Sequence, residues 1–247
     1  MILDAVNLAK SFGGVEAVRG ASFGVAAGEV VAMIGPNGAG KTTCFNLVTG
    51  QLAADAGSVS LDGREITGLG SREIGRLGAS RTFQITAIFA SMTVRENVQT
   101  ALLSHRRQLR MWWTRAADLY RDDAGRLLER VGMLGQAERA CSVLAYGDLK
   151  RVELAVALAG EPRLLLMDEP TAGMAAAERG ELMALVADLA RERSIAVLFT
   201  EHDMDTVFAH ADRIVVLHRG RVIANGSPAE VRAHPEVREV YLGAGAT

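Results

Sequence analysis

Three short apolar runs stand out in the hydrophobic pattern of this chain. They are Val30–Ile34, Leu164–Met167 and Ile195–Phe199. Runs of this length, in which apolar and polar residues do not alternate, are typical of strands that are buried on both faces of a parallel sheet. The pattern therefore predicts a buried parallel sheet to which these three segments contribute.

Further segments predict strands that surround this sheet. Residues 1–34 are interpreted as mainly strand, with apolar residues at a period of two in their second half. Val59–Leu61 and Arg64–Ile66 flank Asp62-Gly63, a pair that favours a tight hairpin turn. Two more strands are predicted near the C-terminus, at Arg213–Leu217 and Arg221–Ala224.

From about Ser71 the pattern becomes helical, because apolar residues recur three and four positions apart. Helices are predicted over Asn97–Leu103 and Ala116–Leu134, and another after the second apolar run. Ser227-Pro228-Ala229-Glu230 predicts a further helix start, since it has the N-cap, the first-position proline and the third-position glutamate of a capping box.

The segment His105–Trp113 combines several cations with two tryptophans. One interpretation is an amphipathic helix whose basic face is solvated. The other is a surface that touches lipid headgroups or a membrane partner, because cations and tryptophans both suit the membrane interface. The sequence leaves both open.

Composition narrows the class of protein without naming a function. The 247 residues are 49% hydrophobic and 23% charged, which fits a globular protein of one large domain or two lobes. A net charge of −2 argues against a dedicated nucleic-acid binder. Cys44 and Cys141 form no ligand cluster, so we expect buried thiols in a reducing compartment. We expect no signal peptide, and no apolar run reaches the ~20 residues that span a bilayer.

A glycine-rich loop after the first buried run carries the strongest chemical signal. Strand, glycine loop and helix form the context in which backbone N–H groups wrap a phosphate, with the positive end of a helix dipole behind them. Lys41 is placed to reach the β- and γ-phosphates, and Thr42 to ligate Mg²⁺. The sequence therefore predicts an ATP-type nucleotide site. The loop residues are Gly35, Pro36, Asn37, Gly38, Ala39, Gly40, Lys41, Thr42 and Thr43.

The second apolar run ends in two acidic residues, Asp168 and Glu169. The carboxyl end of a central parallel strand is where an α/β protein places its site. Asp168 suits Mg²⁺, directly or through water, and Glu169 is positioned to orient an attacking water. A strand that simply ends in a solvated acidic turn is the alternative, and the phosphate loop upstream argues against it.

With these residues in place, the whole chain resembles the ATP-binding-cassette (ABC) family. The motifs that carry the resemblance agree in order and spacing. The residues in and around these motifs are most similar to those of the ATPase subunits of branched-chain amino-acid and urea-type importers. The similarity is clearest in Arg81-Thr82-Phe83-Gln84 and Val240-Tyr241-Leu242-Gly243. The motifs are Gly35–Thr43 (Walker A), Gln84 (Q-loop), Leu144–Asp148 (signature), Leu164–Glu169 (Walker B with the catalytic glutamate) and His202 (switch histidine).

The resemblance implies roles that the residues alone do not give. Cassettes of this family dimerise head to tail, and each ATP lies between the Walker A of one chain and the signature of the other, here Ala145, Tyr146, Gly147 and Asp148. Phe12 matches the aromatic that stacks on adenine. The resemblance gives Gln84 a role in sensing Mg²⁺ and the γ-phosphate and in linking to the transmembrane partner. The resemblance also implies that His202 forms a hydrogen bond with the γ-phosphate.

Two positions depart from the family pattern. Asp148 stands where the signature usually has glutamine, and it places a carboxylate near a polyanion unless a cation such as Lys150 or Arg151 offsets it. Ala175 stands where the loop after Walker B usually has aspartate. Lys41, Asp168, Glu169 and His202 all remain, so we expect hydrolysis to be retained.

The resemblance implies an α/β fold, a P-loop NTPase (RecA-like) core with an antiparallel β subdomain and a helical subdomain. We expect residues 1–83 and 161–235 to form the core, 84–160 the helical subdomain and 236–247 a C-terminal extension. Within the helical subdomain, residues 84 to about 134 are expected to dock the membrane partner.

The expected function is that of the ATP-hydrolysing subunit of an importer for branched-chain amino acids or related small polar solutes. Its expected cofactors are ATP and Mg²⁺. Its expected partners are a second ABC ATPase, identical or related, transmembrane permease subunits and, indirectly, a periplasmic solute-binding protein, but no nucleic acid. The expected location is the cytoplasmic face of the inner membrane, as a peripheral subunit. A lipopolysaccharide-export ATPase, an iron–sulfur assembly ATPase and a DNA-repair ATPase are the alternatives.

Overall fold

The computed structural model describes residues 1–82, 88–106 and 119–242. The chain divides into two compact units. The sheet unit comprises residues 1–81, 163–170 and 186–247, and the helical unit comprises residues 82–162 and 171–185. The prediction for Gln84 lies outside the described residues, as does most of the predicted basic segment.

Strands and helices alternate along most of the described chain. The strands are β1 (Leu3–Phe12), β2 (Val15–Val25), β3 (Val30–Ile34), β4 (Ala56–Leu61), β5 (Arg64–Glu65), β6 (Ala79–Thr82), β7 (Leu164–Asp168), β8 (Ala196–Thr200), β9 (Arg213–His218) and β10 (Arg221–Gly226). The helices are α1 (Lys41–Val48), α2 (Ser71–Arg76), α3 (Val94–His105), α4 (Arg121–Arg130), α5 (Tyr146–Leu158), α6 (Ala176–Arg193), α7 (Met204–His210), α8 (Pro228–Ala233) and α9 (Pro235–Val237).

The larger sheet has six strands in the order β10-β9-β3-β8-β7-β6. β3 pairs in parallel with β8 and β9, and β7 pairs in parallel with β8. Every residue of β3, β7 and β8 is buried, which confirms the interpretation of the three apolar runs. Because the strands are parallel, the carboxyl ends of β3, β7 and β8 meet at one edge of the sheet.

The smaller sheet has four strands in the order β2-β1-β4-β5 and is antiparallel. The predicted hairpin joins β4 to β5, with Leu61 opposite Arg64. Asp62 and Gly63 both have positive φ, at 51° and 75°, as a two-residue hairpin turn requires. One apolar cluster joins this sheet to the larger one and to α1, whose Phe45 and Val48 are fully buried.

The helical unit contains α3, α4 and α5. Thr93 and Glu96 form a capping box at the start of α3, which fixes where that helix begins. The predicted helix over Ala116–Leu134 is too long at its C-terminal end. α4 ends at Arg130, because Gly132 takes the left-handed conformation (φ 73°) and Leu134–Gln136 forms a 3₁₀ turn.

Two other boundaries differ from the sequence interpretation. Ala79–Thr82 is a strand inside the region whose pattern is helical from Ser71 onward. It is the last strand of the six-stranded sheet, and pairing with that sheet outweighs its weak local preference. The helical unit includes residues 171–185 in addition to the stretch expected as a helical subdomain.

The end of the chain packs on the sheet unit. Ser227 caps α8 through the predicted capping box with Glu230, and Val231 and Val237 are buried. A π-helical turn, Arg238–Leu242, follows α9. Among the described residues, no helix combines the length and the apolarity that a membrane span requires.

Candidate functional site

A cavity of about 310 Å³ opens at the carboxyl edge of the larger sheet. Residues from five places in the sequence meet there: the end of β1, the start of β2, the β3–α1 loop with the start of α1, the end of β7 and the residues after β8. All of them belong to the sheet unit. The lining residues are Phe12, Ala17, Asn37, Gly38, Ala39, Gly40, Lys41, Thr42, Thr43, Asp168, Glu169 and His202.

The glycine loop owes its shape to close backbone contacts. Gly38 and Gly40 have positive φ, at 78° and 107°. A Cβ atom on Gly40 would lie 2.6 Å from the carbonyl oxygen of Ala17, so no larger residue fits there. α1 starts directly after this loop, and no side chain caps its N-terminus. Its first N–H groups are therefore available to an anion in the cavity.

Lys41 is almost buried, with 8% of its surface exposed. Its ammonium group donates to the carbonyl oxygen of Gly35 at 2.6 Å, and Pro36 O lies 3.4 Å away. Burial lowers the pKa of Lys41, and the charges of Glu169 and Asp168 act in the opposite direction. The loop thus holds the ammonium group with its own carbonyls, which a phosphate could replace as a stronger acceptor.

Asp168 ends β7 and is 7% exposed. Its Oδ1 accepts from the Thr200 hydroxyl at 2.6 Å, and its Oδ2 accepts from Arg81 Nη2 at 3.0 Å. A carboxylate can accept about four hydrogen bonds in all, so it keeps capacity for a further partner. Thr42, whose hydroxyl could be a second oxygen donor, lines the same cavity. Oxygen donors such as these suit Mg²⁺, which typically takes one or two protein oxygens and the substrate phosphates.

The part of the chain that the structure describes contains no metal-binding cluster of three or more His, Cys, Asp or Glu side chains. A site for Mg²⁺ that is completed by phosphate does not need one, because this ion rarely uses an all-protein cage. A structural zinc site, by contrast, would require such a cluster.

Glu169 has a positive φ of 48°, which is strained for a residue with a long side chain. Its N–H donates to the carbonyl oxygen and to the hydroxyl of Thr200, both at 3.1 Å. Its Oε1 lies 3.0 Å from His202 Nε2. An ionised carboxylate only accepts, so Nε2 carries the proton in this pair. The strain and these contacts aim the Glu169 carboxylate into the cavity.

Phe12 lies at the rim of the same cavity and is 46% exposed. The ammonium group of Lys10 lies 5.7 Å from the centre of its ring. The ring is therefore not part of the core, and one face remains free to stack on a flat aromatic partner.

The signature residues lie in the helical unit. Ala145 is the N-cap of α5, and Tyr146, Gly147 and Asp148 form its first turn. No side chain caps this helix either, so its first N–H groups are available. The ring of Tyr146 packs near Gly173, where a Cβ atom would lie 3.5 Å from the ring.

Neither of the two cations that could offset the Asp148 carboxylate bonds to it. Arg151 bonds to Glu181 at 2.8 Å, and the buried Lys150 bonds to Glu153 at 3.0 Å. Asp148 instead accepts a hydrogen bond at 2.9 Å from the side-chain amide of Gln136. An amide holds the carboxylate in place without neutralising it. Asp148 also lies in the first turn of α5, where the positive end of the helix dipole favours a carboxylate.

The expectation of buried thiols is confirmed for both cysteines. Cys44 and Cys141 are both free and buried. Burial raises the pKa of the Cys44 thiol to about 12, which disfavours the reactive thiolate form.

Sequence reasoning missed three residues that contact the site. Thr200 and Arg81 hold the Asp168 carboxylate, and the hydroxyl of Tyr241 accepts from the N–H of Gly35 at 2.6 Å. Arg81 and Tyr241 stood within the motifs that carry the family resemblance, but their partners lie 87 and 206 positions away. No local pattern reveals such pairs.

Comparison with known proteins gives two family matches. Residues 18–172 match the family model described as ABC transporter. Residues 221–247 match the model described as branched-chain amino acid ATP-binding cassette transporter.

Relatives and solved structures align with nearly the whole chain. The high-affinity branched-chain amino acid transport ATP-binding protein LivG of Salmonella typhimurium is 41% identical, with 97% of each chain covered. The corresponding protein BraF of Pseudomonas aeruginosa is 40% identical, with 98% of each covered. A crystal structure of an ATP-binding cassette of an ABC transporter in its ADP conformation has a TM-score of 0.87 at 32% identity, covering 98% of both chains. A nucleotide-free cassette has a TM-score of 0.84 at 32% identity, covering 97% of this chain and 98% of that one.

Proposed function

Because the chain belongs to the family of ABC transporter ATPases, we propose that it powers uptake of branched-chain amino acids or related small polar solutes through a separate permease. The chain is an ABC importer ATPase subunit that binds and hydrolyses ATP. The match of its C-terminal residues to the branched-chain model carries the choice of solute class. Lipopolysaccharide export, iron–sulfur assembly and DNA repair are not favoured, since the full-length relatives are named as branched-chain amino acid transport proteins.

In this proposal the cavity holds the triphosphate of ATP on the loop N–H groups and the N-terminus of α1. Lys41 exchanges the Gly35 carbonyl for phosphate oxygens, and Phe12 stacks on adenine. Thr42 and Asp168 would hold Mg²⁺, and the resemblance adds Gln84 to them. When bound, the ion would supply positive charge that offsets the charge of the phosphates.

Hydrolysis requires a base and a means to orient it. Glu169 is the base, and it takes a proton from the water that attacks the γ-phosphorus as the bond to the leaving ADP oxygen breaks. His202 lies 3.0 Å from the Glu169 carboxylate and holds it toward the phosphate. The products are ADP and inorganic phosphate. When they separate, the γ-phosphate no longer holds the two chains of the proposed dimer together.

The signature helix supports a head-to-tail dimer. The cavity of the sheet unit contains none of the signature residues. The uncapped N-terminus of α5 offers backbone N–H donors to an anion. The γ-phosphate of an ATP molecule bound to a second chain would be such an anion. We infer that two chains, identical or related, close on two ATP molecules.

The permease docks on the helical unit in this proposal. Phe89 is 56% exposed, yet its backbone is fixed on both sides by Asn97, whose amide accepts from Phe89 N–H at 2.8 Å and donates to Phe89 O at 3.1 Å. A rigidly presented apolar ring suits a protein partner. Arg106, the first arginine of the basic segment, donates a hydrogen bond to Asp123 and lies 4.6 Å from the centre of the Tyr120 ring. Both contacts are within the helical unit. Docking at this surface would place the chain on the cytoplasmic face of the inner membrane.

Co-purification with membrane partners tests the proposal. We expect the chain to be recovered with permease subunits, and its ATPase rate in proteoliposomes to rise with a binding protein loaded with leucine, isoleucine or valine. Phe89→Asp should abolish recovery with the permease while ATP binding persists. Val6→Asp, which alters an exposed apolar residue of the sheet unit, is the matched control. Recovery with a lipid-export permease or a soluble scaffold would contradict the proposal.

A further inference from the structure

The C-terminal segment of the chain reaches the first residue of the phosphate loop. Tyr241 lies in the π-helical turn Arg238–Leu242. Its hydroxyl oxygen accepts a hydrogen bond from the backbone N–H of Gly35 at 2.6 Å, across 206 positions of sequence. Both residues belong to the sheet unit. The contact is short for an N–H···O bond, whose usual length is about 2.9 Å.

The backbone around Gly35 is closely packed. Gly35 is buried. A Cβ atom there would lie 2.3 Å from the carbonyl oxygen of Leu217 and 2.9 Å from the Cβ of Ala39. Gly35 also follows the last residue of β3, where the ladder with β9 ends at Ile34 and Val216. A buried N–H beyond the end of a ladder needs an acceptor from elsewhere, and Tyr241 supplies it.

The same residue holds the catalytic lysine from its other side. The carbonyl oxygen of Gly35 accepts from Lys41 Nζ at 2.6 Å. Gly35 therefore stands between Tyr241 and Lys41, with one polar group bonded to each. The position of the Tyr241 hydroxyl fixes where the loop begins, and the loop fixes the starting point from which Lys41 reaches phosphate.

The segment that carries Tyr241 is itself firmly attached. The capping box of Ser227 and Glu230 starts α8, and Val231 and Val237 are buried in the sheet unit. Arg232 lies 4.3 Å from the ring centre of Phe208. Burial raises the pKa of the Tyr241 phenol, so the hydroxyl stays neutral at physiological pH. An anchored, neutral hydroxyl gives the bond a constant geometry.

We propose that Tyr241 is a positioning residue of the nucleotide site, through which the C-terminal segment holds the phosphate loop in the form that binds ATP. This rests on the proposed role of the loop. Tyr241 touches no reacting atom, so it acts on binding and not on the chemical step. Loss of its hydroxyl leaves the Gly35 N–H buried without an acceptor and lets the loop leave its binding form.

Tyr241→Phe tests this, because it removes only the hydroxyl and keeps the ring. We expect the Kd for ATP to rise about 10-fold, the KM for ATP to rise similarly and kcat at saturating ATP to stay within about 2-fold, since Asp168, Glu169 and His202 are untouched. Amide hydrogen exchange at Gly35 should become faster. Tyr120→Phe removes a hydroxyl from the helical unit and is the matched control, with wild-type values expected.

The outcomes separate this inference from the proposed function. Unchanged exchange at Gly35, or faster exchange with an ATP affinity within 2-fold of wild type, overturns the role of Tyr241. A fall in kcat without a change in KM also overturns it. Lys41→Ala in the same series reports on the loop itself: if that variant binds ATP as wild type does, the proposed site is wrong, whatever Tyr241→Phe shows.

Discussion

At the scale of single residues, the Asp168 carboxylate is held by groups that do no chemistry themselves. Arg81 donates to Asp168 at 3.0 Å, to Asn46 Oδ1 at 2.8 Å and to Gln51 Oε1 at 3.0 Å. One guanidinium group thus ties the end of β7 to the last turn of α1 and the residues after it. A planar fork with fixed donor directions can do this, whereas a lysine ammonium group cannot reach all three oxygens.

We predict that Arg81→Gln lowers kcat about 10-fold and the free energy of unfolding by about 1–3 kcal/mol, since a nearly buried carboxylate loses a charged donor. Arg81→Lys should recover the charge but only part of the rate. Arg163→Gln, which breaks an exposed ion pair with Asp62 in the same unit, should cost no more than about 1 kcal/mol. Denaturant unfolding and phosphate release measure both. Equal stabilities and wild-type kcat in Arg81→Gln would show that Asp168 needs no such support.

The sequence revealed Lys41, Asp168 and Glu169 because their spacing from glycines and from apolar runs is local. It could not reveal that Thr200, Arg81 and Tyr241 support them. Those pairings arise only when β6, β7 and β8 lie side by side and when the C-terminal segment packs on the sheet unit. Ordinary residues in ordinary strands carry no local mark of such partners.

At the scale of elements, the start of α5 determines where the Asp148 carboxylate lies. Asp148 lies in its first turn, where a carboxylate gains about 0.3–1 kcal/mol from the helix dipole. Gln136, from the 3₁₀ turn before it, holds this carboxylate within the same unit. The charge is therefore positioned by an amide and a helix end, and neither Lys150 nor Arg151 bonds to it.

We predict that Asp148→Gln leaves ATP-driven dimerisation within about 2-fold of wild type at low and at high salt, because Asp148 is already held within its own unit and at the favourable end of α5. Arg151, like Asp148, lies in α5, and Arg151→Gln, which breaks its pair with Glu181 of α6, is the control for a general change at α5. Light scattering against ATP concentration measures dimerisation. A large gain in the Asp148→Gln variant that disappears in high salt would mean that the carboxylate faces the nucleotide.

Element boundaries were predictable where the sequence contains a specific device. The Asp62-Gly63 turn and the Ser227 capping box are both present as expected. Thr93 and Glu96 had the same signature and could have fixed the start of α3. β6 was missed, because four residues at the edge of a sheet are selected by their neighbours and not by their own pattern.

At the scale of the whole molecule, the two units carry different parts of the nucleotide machinery. The sheet unit contains the cavity with the loop, the acids and His202, and the helical unit contains the signature residues. The buried parallel sheet followed from the hydrophobic pattern, and the α/β fold with its two subdomains followed from the family resemblance. The inclusion of residues 171–185 in the helical unit did not, because contacts between distant segments decide it.

In this protein the cavity hydrolyses ATP with Glu169 as the proposed base. Measuring ATP binding and phosphate release in the Glu169→Gln variant tests this role. We predict wild-type affinity by calorimetry, because glutamine keeps the size of the side chain, and a turnover at least roughly 10²-fold lower. ATP should then hold the variant as a dimer. Lys41→Ala, which should fail to bind at all, shows that the heat comes from this cavity. Wild-type turnover in Glu169→Gln would contradict the account.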